Sequence, residues 1–316
     1  MDSNKKLYRV APTFNIPAPA NLMIVGNQET GPFVPTLDPS YVFRKEMLRD
    51  VLAWLADSSG EGLYLFGPTG CGKSSLICQV AARLNLPVER VNAHSRLELA
   101  ELTGHFLLTG GSMHFIHGPL SIALRDGYLF LLDELDLLDP ATLAGLNTVL
   151  DGSSLSIPET GEVIVPHPEF RFVATGNTSG AGDRTGLYQG ALRQNLAFMD
   201  RFWVVAVSYP DPELENEVLS RSAPLLPEIL RRRMVEVANE VRRLFLGESE
   251  EASAIEVTMS TRVLVRWARL AIRFSGAPLA YALDRALTFR AEPATREAIR
   301  QIVQRHLGDE AAVLKG

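Results

Sequence analysis

The stretch that decides the fold is EGLYLFGPTGCGKSSLIC, residues 61–78. Its apolar run at residues 63–66 predicts a buried strand, and the residues that follow Lys73 predict a helix. Between them, residues 67–74 read GPTGCGKS and fit the pattern G-x-x-x-x-G-K-[ST]. A strand before this pattern and a helix after it are the context that a phosphate-binding loop requires. A glycine-rich turn without a ligand is the alternative, and the flanking elements argue against it.

The residue types in this loop suit a nucleoside triphosphate. Glycines let the backbone curve so that its N–H groups face an anion, and the helix that follows adds the positive end of its dipole. Lys73 is placed to reach the β- and γ-phosphates, and the Ser74 hydroxyl to bind Mg²⁺. We therefore expect ATP and Mg²⁺ as cofactors. The expected nucleotide-binding residues of the loop are Gly67, Pro68, Thr69, Gly70, Cys71, Gly72, Lys73, Ser74 and Ser75.

A second apolar run, residues 128–132, ends in Asp133 and Glu134. Unbroken apolar strands are typical of parallel sheets that are covered on both faces, and such sheets bind ligands at the carboxyl ends of their strands. Asp133 therefore suits the Mg²⁺ site, and Glu134 suits a base that polarises the attacking water. Two surface acids that simply follow a strand are the alternative interpretation.

A third strand is predicted over residues 170–177 and ends in Asn177. We expect this amide to orient water near the γ-phosphate, while an ordinary turn residue is the plain alternative. Two further segments, residues 104–116 and 153–165, each hold apolar runs around a turn and predict β-hairpins. Residues 203–207 predict the last strand of the domain.

Composition divides the chain into three parts. Residues 1–40 contain six prolines and few periodic apolar positions, which predicts an extended N-terminal arm. Residues 41–209 predict an α/β core, a parallel sheet with helices on both faces, whose first helix opens at residues 38–40 and runs to Ala56. Residues 210–316 predict a small α-helical lid. Its helices are expected at about 213–222, 226–246, 260–275, 278–290 and 293–306.

The whole-chain composition limits the function classes. A net charge of −6 argues against a general nucleic-acid binder, which usually presents a basic face. Two cysteines cannot build a disulfide framework, and that fits a reducing compartment. The sequence has neither a signal-peptide pattern nor an apolar run of membrane-spanning length, so we expect a cytoplasmic protein without a membrane partner. Its six histidines are scattered, and we expect no zinc or cobalt site.

Together, the phosphate-binding loop, the acidic strand, the Asn177 strand and the helical C-terminal part resemble an AAA+ ATPase. The two hairpins are similar to those of the helix-2-insert clade, which includes the MoxR and magnesium-chelatase groups. Within that clade the chain is most similar to CobS-type ATPase subunits of aerobic cobaltochelatase, over about residues 34–275. The stretches that carry this similarity are residues 34–35, 38–43, 79–85, 166–168, 170–171, 174–178, 182–183, 185–188 and 199–201. The loop interior, residues 68–72, is closer to the MoxR and Rubisco-activating relatives.

The resemblance implies roles for two arginines outside the loop. Arg201 aligns with the arginine finger, which reaches the γ-phosphate held by the adjacent subunit and is worth about 10³–10⁵ in rate. Arg184 and Arg193 compete for this role, and a salt-bridged surface arginine is the alternative. Arg262 resembles sensor 2 and is expected to bind phosphate. Ser260 is the expected N-cap of its helix, so Arg262 would lie in the first turn, where the helix dipole disfavours a cation.

The resemblance also implies a ring, a hexamer in this family, that hydrolyses Mg·ATP and remodels a partner protein. The implied partner is a large chelatase subunit or a von Willebrand A-type protein. The expected catalytic residues are Lys73, Glu134, Asn177 and Arg201, with Ser74 and Asp133 as Mg²⁺ ligands. Two other classes of function stay open. A nucleic-acid-stimulated motor or loader would need a basic pore, although the hairpins hold few Lys or Arg, and a non-hydrolysing switch would not need the full catalytic set.

Overall fold

The computed structural model describes residues 4–183, 186–188, 190–247 and 255–308. The chain forms two compact units, which we describe separately. The first unit contains Met1–Asp38, Lys45–Pro68 and Lys73–Val207, and the second contains Pro39–Arg44, Thr69–Gly72 and Ser208–Gly316. Among the described residues, no helix combines the length and the apolar character that crossing a membrane would need.

Residues 5–27 of the first unit are folded, although an extended arm was expected over residues 1–40. They form β1 (Lys5–Arg9), α1 (Val10–Phe14) and β2 (Met23–Asn27), and the two strands pair antiparallel. Val10, Phe14 and Ile24 are buried. Prolines misled the sequence argument here, because Pro12 lies in the first turn of α1, where a missing N–H has no helical partner to lose.

Strands and helices then alternate along the first unit. Their bounds are α2 (Lys45–Ala56), β3 (Gly62–Phe66), α3 (Lys73–Leu84), β4 (Val88–Asn92), α4 (Leu99–Thr103), β5 (Gly104–Thr109), β6 (Ser112–His117), α5 (Pro119–Asp126), β7 (Leu129–Asp133), a 3-10 helix (Leu135–Leu137), α6 (Pro140–Ala144), α7 (Asn147–Leu150), β8 (Leu155–Ile157), β9 (Glu162–Ile164), β10 (Arg171–Gly176), α8 (Leu196–Met199) and β11 (Phe202–Ala206).

Five of these strands form a parallel sheet in the order β11-β3-β10-β7-β4. The expected parallel α/β core is therefore confirmed. The central strands are apolar because both faces are covered, and Leu63, Leu131 and Val173 are fully buried. Since the strands are parallel, the carboxyl ends of β3, β7 and β10 lie along one edge of the sheet. Gly67 at the end of β3, the acidic pair and Asn177 therefore share that edge.

The first unit also contains two hairpins, in the predicted positions. β5 pairs with β6 around the turn at Gly110 and Gly111, and β8 pairs with β9. The first hairpin exposes most of its apolar side chains, whereas Leu155, Ile157 and Ile164 of the second are buried. The first hairpin thus has an exposed apolar surface, while the second is part of the core packing.

Helix α2 begins at Lys45 and not at residues 38–40 as expected. Residues 39–44 are not helical and belong to the second unit. There the Arg44 guanidinium donates hydrogen bonds to the backbone oxygens of Ser208, at 2.6 Å, and Cys71, at 3.1 Å. These contacts hold the segment outside the helix.

The second unit is helical, as predicted. Its helices are α9 (Pro212–Ser222), α10 (Glu228–Phe245), α11 (Thr261–Arg273), α12 (Leu279–Ala286), a 3-10 helix (Thr288–Arg290) and α13 (Pro293–Leu307). The helix expected over 278–290 therefore ends early and continues as a 3-10 turn. Trp267 is fully buried at the centre. A buried ion pair joins α9 to α10, because the Arg242 guanidinium donates to both oxygens of Glu215, each at 2.7 Å.

Candidate nucleotide-binding site

The loop at residues 67–74 has the backbone that its glycines predict. A Cβ at Gly67 would lie 1.9 Å from the Val207 carbonyl oxygen, so no side chain fits there. Gly70 has φ of 70°, and a Cβ on it would lie 2.4 Å from the Ser260 Cβ. Close packing therefore leaves no room for a side chain at Gly67 or Gly70, and these two glycines let the loop adopt this shape.

Lys73 is buried, with 9% of its surface exposed. Its ammonium donates to the loop carbonyl oxygens of Gly67, at 2.7 Å, and Pro68, at 3.1 Å. It also donates to Oδ1 of Asn177, at 3.2 Å. The fold therefore brings together two residues that the sequence separates by about a hundred positions. A phosphate oxygen would be a stronger acceptor for this ammonium than neutral carbonyls, because charge-assisted hydrogen bonds are stronger.

The Asp133 carboxylate is the most crowded group of the site. Its Oδ1 accepts hydrogen bonds from the Ser74 hydroxyl and from the Thr175 hydroxyl, the latter at 2.9 Å. Its Oδ2 accepts from the Arg90 guanidinium at 2.5 Å. The structure thus pairs Ser74 with Asp133, as the sequence predicts. A hydroxyl and a carboxylate are the oxygen ligands that Mg²⁺ prefers, so these residues fit that metal.

Glu134 lies beside Asp133 but has a different environment. Its backbone has φ of 60°, a left-handed conformation that is unusual for a residue with a side chain. Its N–H donates to the Thr175 hydroxyl at 3.2 Å. The turn leaves Glu134 exposed, while Asp133 is 3% exposed. Such strain concentrates at functional sites, and an exposed carboxylate at this edge is available to a water molecule.

Asp136 was not anticipated as a site residue, although it is completely buried. Its Oδ2 accepts the backbone N–H groups of Asn177, at 2.8 Å, and Thr178, at 3.1 Å. Burial raises the pKa of Asp136, and those two N–H groups oppose the rise. The carboxyl therefore fixes the backbone that carries the Asn177 amide. The sequence signal was an acid between leucines, in the run Leu135-Asp136-Leu137, where a surface acid would be unusual.

Replacing Asp136 with Ala should destabilise the protein and slow ATP turnover. The change leaves two partly buried N–H groups without their acceptor, at up to about 1–3 kcal/mol each, and releases the Asn177 backbone. Urea unfolding and phosphate release would measure the two effects. Asp139→Ala is the matched control, because exposed Asp139 accepts one N–H as the N-cap of α6. We expect the control to lose about 1 kcal/mol and to keep its turnover. Equal turnover in both variants would contradict the positioning role.

Arg201 is held at the surface by its own chain. Its Nε and Nη2 donate to the two oxygens of Asp151, at 2.6 and 2.9 Å, and its Nη1 donates to the Ala197 carbonyl at 2.5 Å. The hydrogen bond with Arg201 lowers the pKa of Asp151. None of the contacts found for Arg201 in the described residues reaches Lys73, Asp133 or Asn177. The structure therefore groups those three residues without Arg201.

The competing arginines and Ser75 can be placed only in part. Arg193 is exposed and forms an isolated backbone bridge with Ala181, while Arg184 lies outside the described residues. Ser75 is exposed on the first turn of α3, and Cys71 is buried.

Arg262 is an exposed residue of α11 in the second unit. The predicted cap is confirmed, because the Ser260 hydroxyl accepts the N–H of Val263 at 3.2 Å. Ser260 also packs against Gly70, and the Tyr209 hydroxyl donates to the Thr69 carbonyl at 2.9 Å. The N-cap of α11 thus packs against Gly70, and Tyr209 binds Thr69, all within the second unit.

Two family profiles match the chain. Residues 62–202 match the AAA domain (dynein-related subfamily), and residues 215–306 match the CbbQ/NirQ/NorQ C-terminal domain. The aerobic cobaltochelatase subunit CobS of Sinorhizobium sp is 32% identical over 288 residues, covering 88% of this chain and 84% of that protein. Protein NorQ of Paracoccus denitrificans is 33% identical over 254 residues, covering 80% and 86%. Midasin of Dictyostelium discoideum is 33% identical over 249 residues, covering 77% of this chain but 4% of that protein.

Proposed function

We propose that this chain, which belongs to the CobS/NorQ-like AAA+ ATPases, hydrolyses Mg·ATP within a ring of copies and thereby remodels a partner protein. The expected AAA+ resemblance is confirmed by both matched domains and by the similarity to CobS and NorQ, which covers most of each chain. The observation that carries the proposal is the convergence of Lys73, Ser74, Asp133 and Asn177 at one edge of the parallel sheet.

Each of these side chains has a role that follows from its position. The loop N–H groups and Lys73 would bind the β- and γ-phosphates. Ser74 and Asp133 would hold Mg²⁺, which when bound offsets charge on the phosphates. Exposed Glu134 would accept the proton of the attacking water, and Asn177, fixed through Asp136, would orient that water. Arg262 would contribute a second phosphate contact from the start of α11.

In a ring, the Arg201 side chain of a neighbouring copy would reach the group around Lys73, which Arg201 of the same copy does not contact among the described residues. Arg201 forms a salt bridge with Asp151 of its own chain, which is the alternative stated above, and the finger role is inferred from the family resemblance. A phosphate oxygen of the neighbour's nucleotide would compete with Asp151 for the same guanidinium. We propose a hexamer, as in the family, with Arg201 as the finger in trans.

The first hairpin, β5–β6, favours a protein as the remodelled partner. Residues 104–117 include no Lys, Arg, Asp or Glu, and Leu108 and Met113 are 66% and 60% exposed. An exposed apolar surface of this kind is typical of protein contact sites. A nucleic-acid motor would instead need basic side chains for the phosphate backbone. By similarity to CobS, the partner is a large chelatase subunit or a von Willebrand A-type protein.

Capture by a trapped ATPase tests this proposal. Full-length Glu134→Gln protein with ATP serves as bait for a purified large chelatase subunit and for a purified von Willebrand A-type protein. We expect ATP-dependent recovery of one of them, and recovery of neither would contradict the remodelling role. Adding Leu108→Asp to the bait should abolish recovery by placing a charge on the hairpin. Leu225→Asp is the matched control, because Leu225 is 79% exposed in the second unit. DNA-stimulated hydrolysis would instead favour the nucleic-acid motor.

A further inference from the structure

Arg90 is a cation at the candidate metal site that the sequence argument did not identify. It lies on β4, the outermost strand beside β7, and its Nε donates to Oδ2 of Asp133 at 2.5 Å. The other oxygen of the same carboxylate accepts the hydroxyls of Ser74 and Thr175. Arg90 and Ser74 therefore bind the same carboxylate, and Ser74 is the residue expected to share a metal ion with Asp133.

The two members of this ion pair differ in their freedom to move. The Asp133 side chain is 4% exposed, whereas the Arg90 side chain is 49% exposed. A buried carboxylate without a counter-charge is strongly unfavourable. A half-exposed guanidinium loses little when it turns into water. Arg90 can therefore leave the pair, while Asp133 stays in place.

Strand pairing does not need this ion pair. β4 and β7 already form a parallel ladder of five residue pairs, from Val88 opposite Leu129 to Asn92 opposite Asp133. The ion pair therefore stabilises the buried charge of Asp133 and not the pairing of the two strands. Arg90 binds the carboxylate that also accepts the Ser74 hydroxyl, and the electrostatics of the site explain this position better.

We propose that Arg90 is a positioning residue that takes the place of the metal as counter-charge to Asp133 and gives up the carboxylate when Mg·ATP binds. This inference rests on the proposed Mg·ATP function. Arg90 balances the charge of the carboxylate and orients it in the nucleotide-free protein. It also opposes metal binding, because both cations use the same carboxylate. The balance between them sets the concentration of Mg²⁺ at which the site fills.

The test compares wild-type protein with Arg90→Gln, Arg90→Lys and Arg125→Gln. Gln removes the charge and keeps a hydrogen-bond donor, while Lys keeps the charge. Arg125 is the matched control, since it pairs with Asp126 on α5, outside the candidate site. One measurement is the melting temperature without Mg²⁺ or nucleotide. The other is a Mg²⁺ titration of the binding of a fluorescent ATP analogue.

We expect Arg90→Gln to melt at a lower temperature than Arg125→Gln when metal is absent. Its half-saturating Mg²⁺ concentration should be about three- to tenfold lower than that of wild type, as expected when a unit charge is removed from a partly solvated site. The half-saturating Mg²⁺ concentration of Arg90→Lys should be close to that of wild type. An unchanged or higher Mg²⁺ requirement in Arg90→Gln would overturn the proposal, since a purely structural pair would lower stability only. If wild type shows no Mg²⁺-dependent binding at all, the proposed function itself fails.

Discussion

Glu134→Gln is expected to bind ATP as tightly as wild type and to turn it over about 10²–10⁴-fold more slowly, which is the usual contribution of a general base. The amide has nearly the same shape as the carboxylate but cannot accept the proton of the attacking water. Binding should survive because Lys73, Ser74 and Asp133, the residues expected to hold the phosphates and Mg²⁺, are unchanged in this variant. Phosphate release and the binding of a fluorescent ATP analogue would measure the two quantities.

A matched control separates this role from a general effect of charge. Glu159→Gln removes an exposed acid in the turn between β8 and β9, away from the sheet edge, and should leave both quantities unchanged. Because ATP stays bound, Glu134→Gln should also accumulate as rings, which size-exclusion chromatography would detect. Turnover at the wild-type rate in Glu134→Gln would show that the base is a different residue.

Arg201→Ala should reduce turnover by about 10³–10⁵-fold, the typical effect of removing an arginine finger. Arg201 pairs with Asp151 in its own chain, so nucleotide binding by the same copy should change little. Phosphate release and analogue binding, measured on the assembled protein, would check both expectations. Arg193→Ala is the matched control, because Arg193 is another exposed arginine and a sequence-level competitor for the role. Loss of turnover in Arg193→Ala with normal turnover in Arg201→Ala would show that Arg193, and not Arg201, is the arginine finger.

The sequence predicted those parts of the structure that depend on short-range patterns. The loop at residues 67–74, the apolar strands and the lid helices each follow from local periodicity or from a motif. The pairing of Ser74 with Asp133 could also be predicted, because parallel strands bring their carboxyl ends to the same edge.

Features that depend on long-range packing were missed. The N-terminal β1–α1–β2 segment is stabilised by burial of Val10, Phe14 and Ile24, which its proline content concealed. Arg90 and Asp136 contact site residues that are more than forty positions away in sequence. An arginine on an edge strand and an acid near a turn give no local sign of these partners. The hydrogen bonds of Arg201 to Asp151 were unpredictable for the same reason.

The proposed active site is completed between neighbouring copies, and mixing two inactive variants tests this most directly. Arg201→Ala keeps Lys73 but lacks the finger, whereas Lys73→Ala keeps the finger but cannot hold the phosphates. In a random equal mixture, about one interface in four joins an intact Lys73 to an intact Arg201, if copies contact head to tail. Phosphate release by the mixture should therefore rise well above that of either variant alone. Release that stays at the level of the separate variants would contradict a finger in trans.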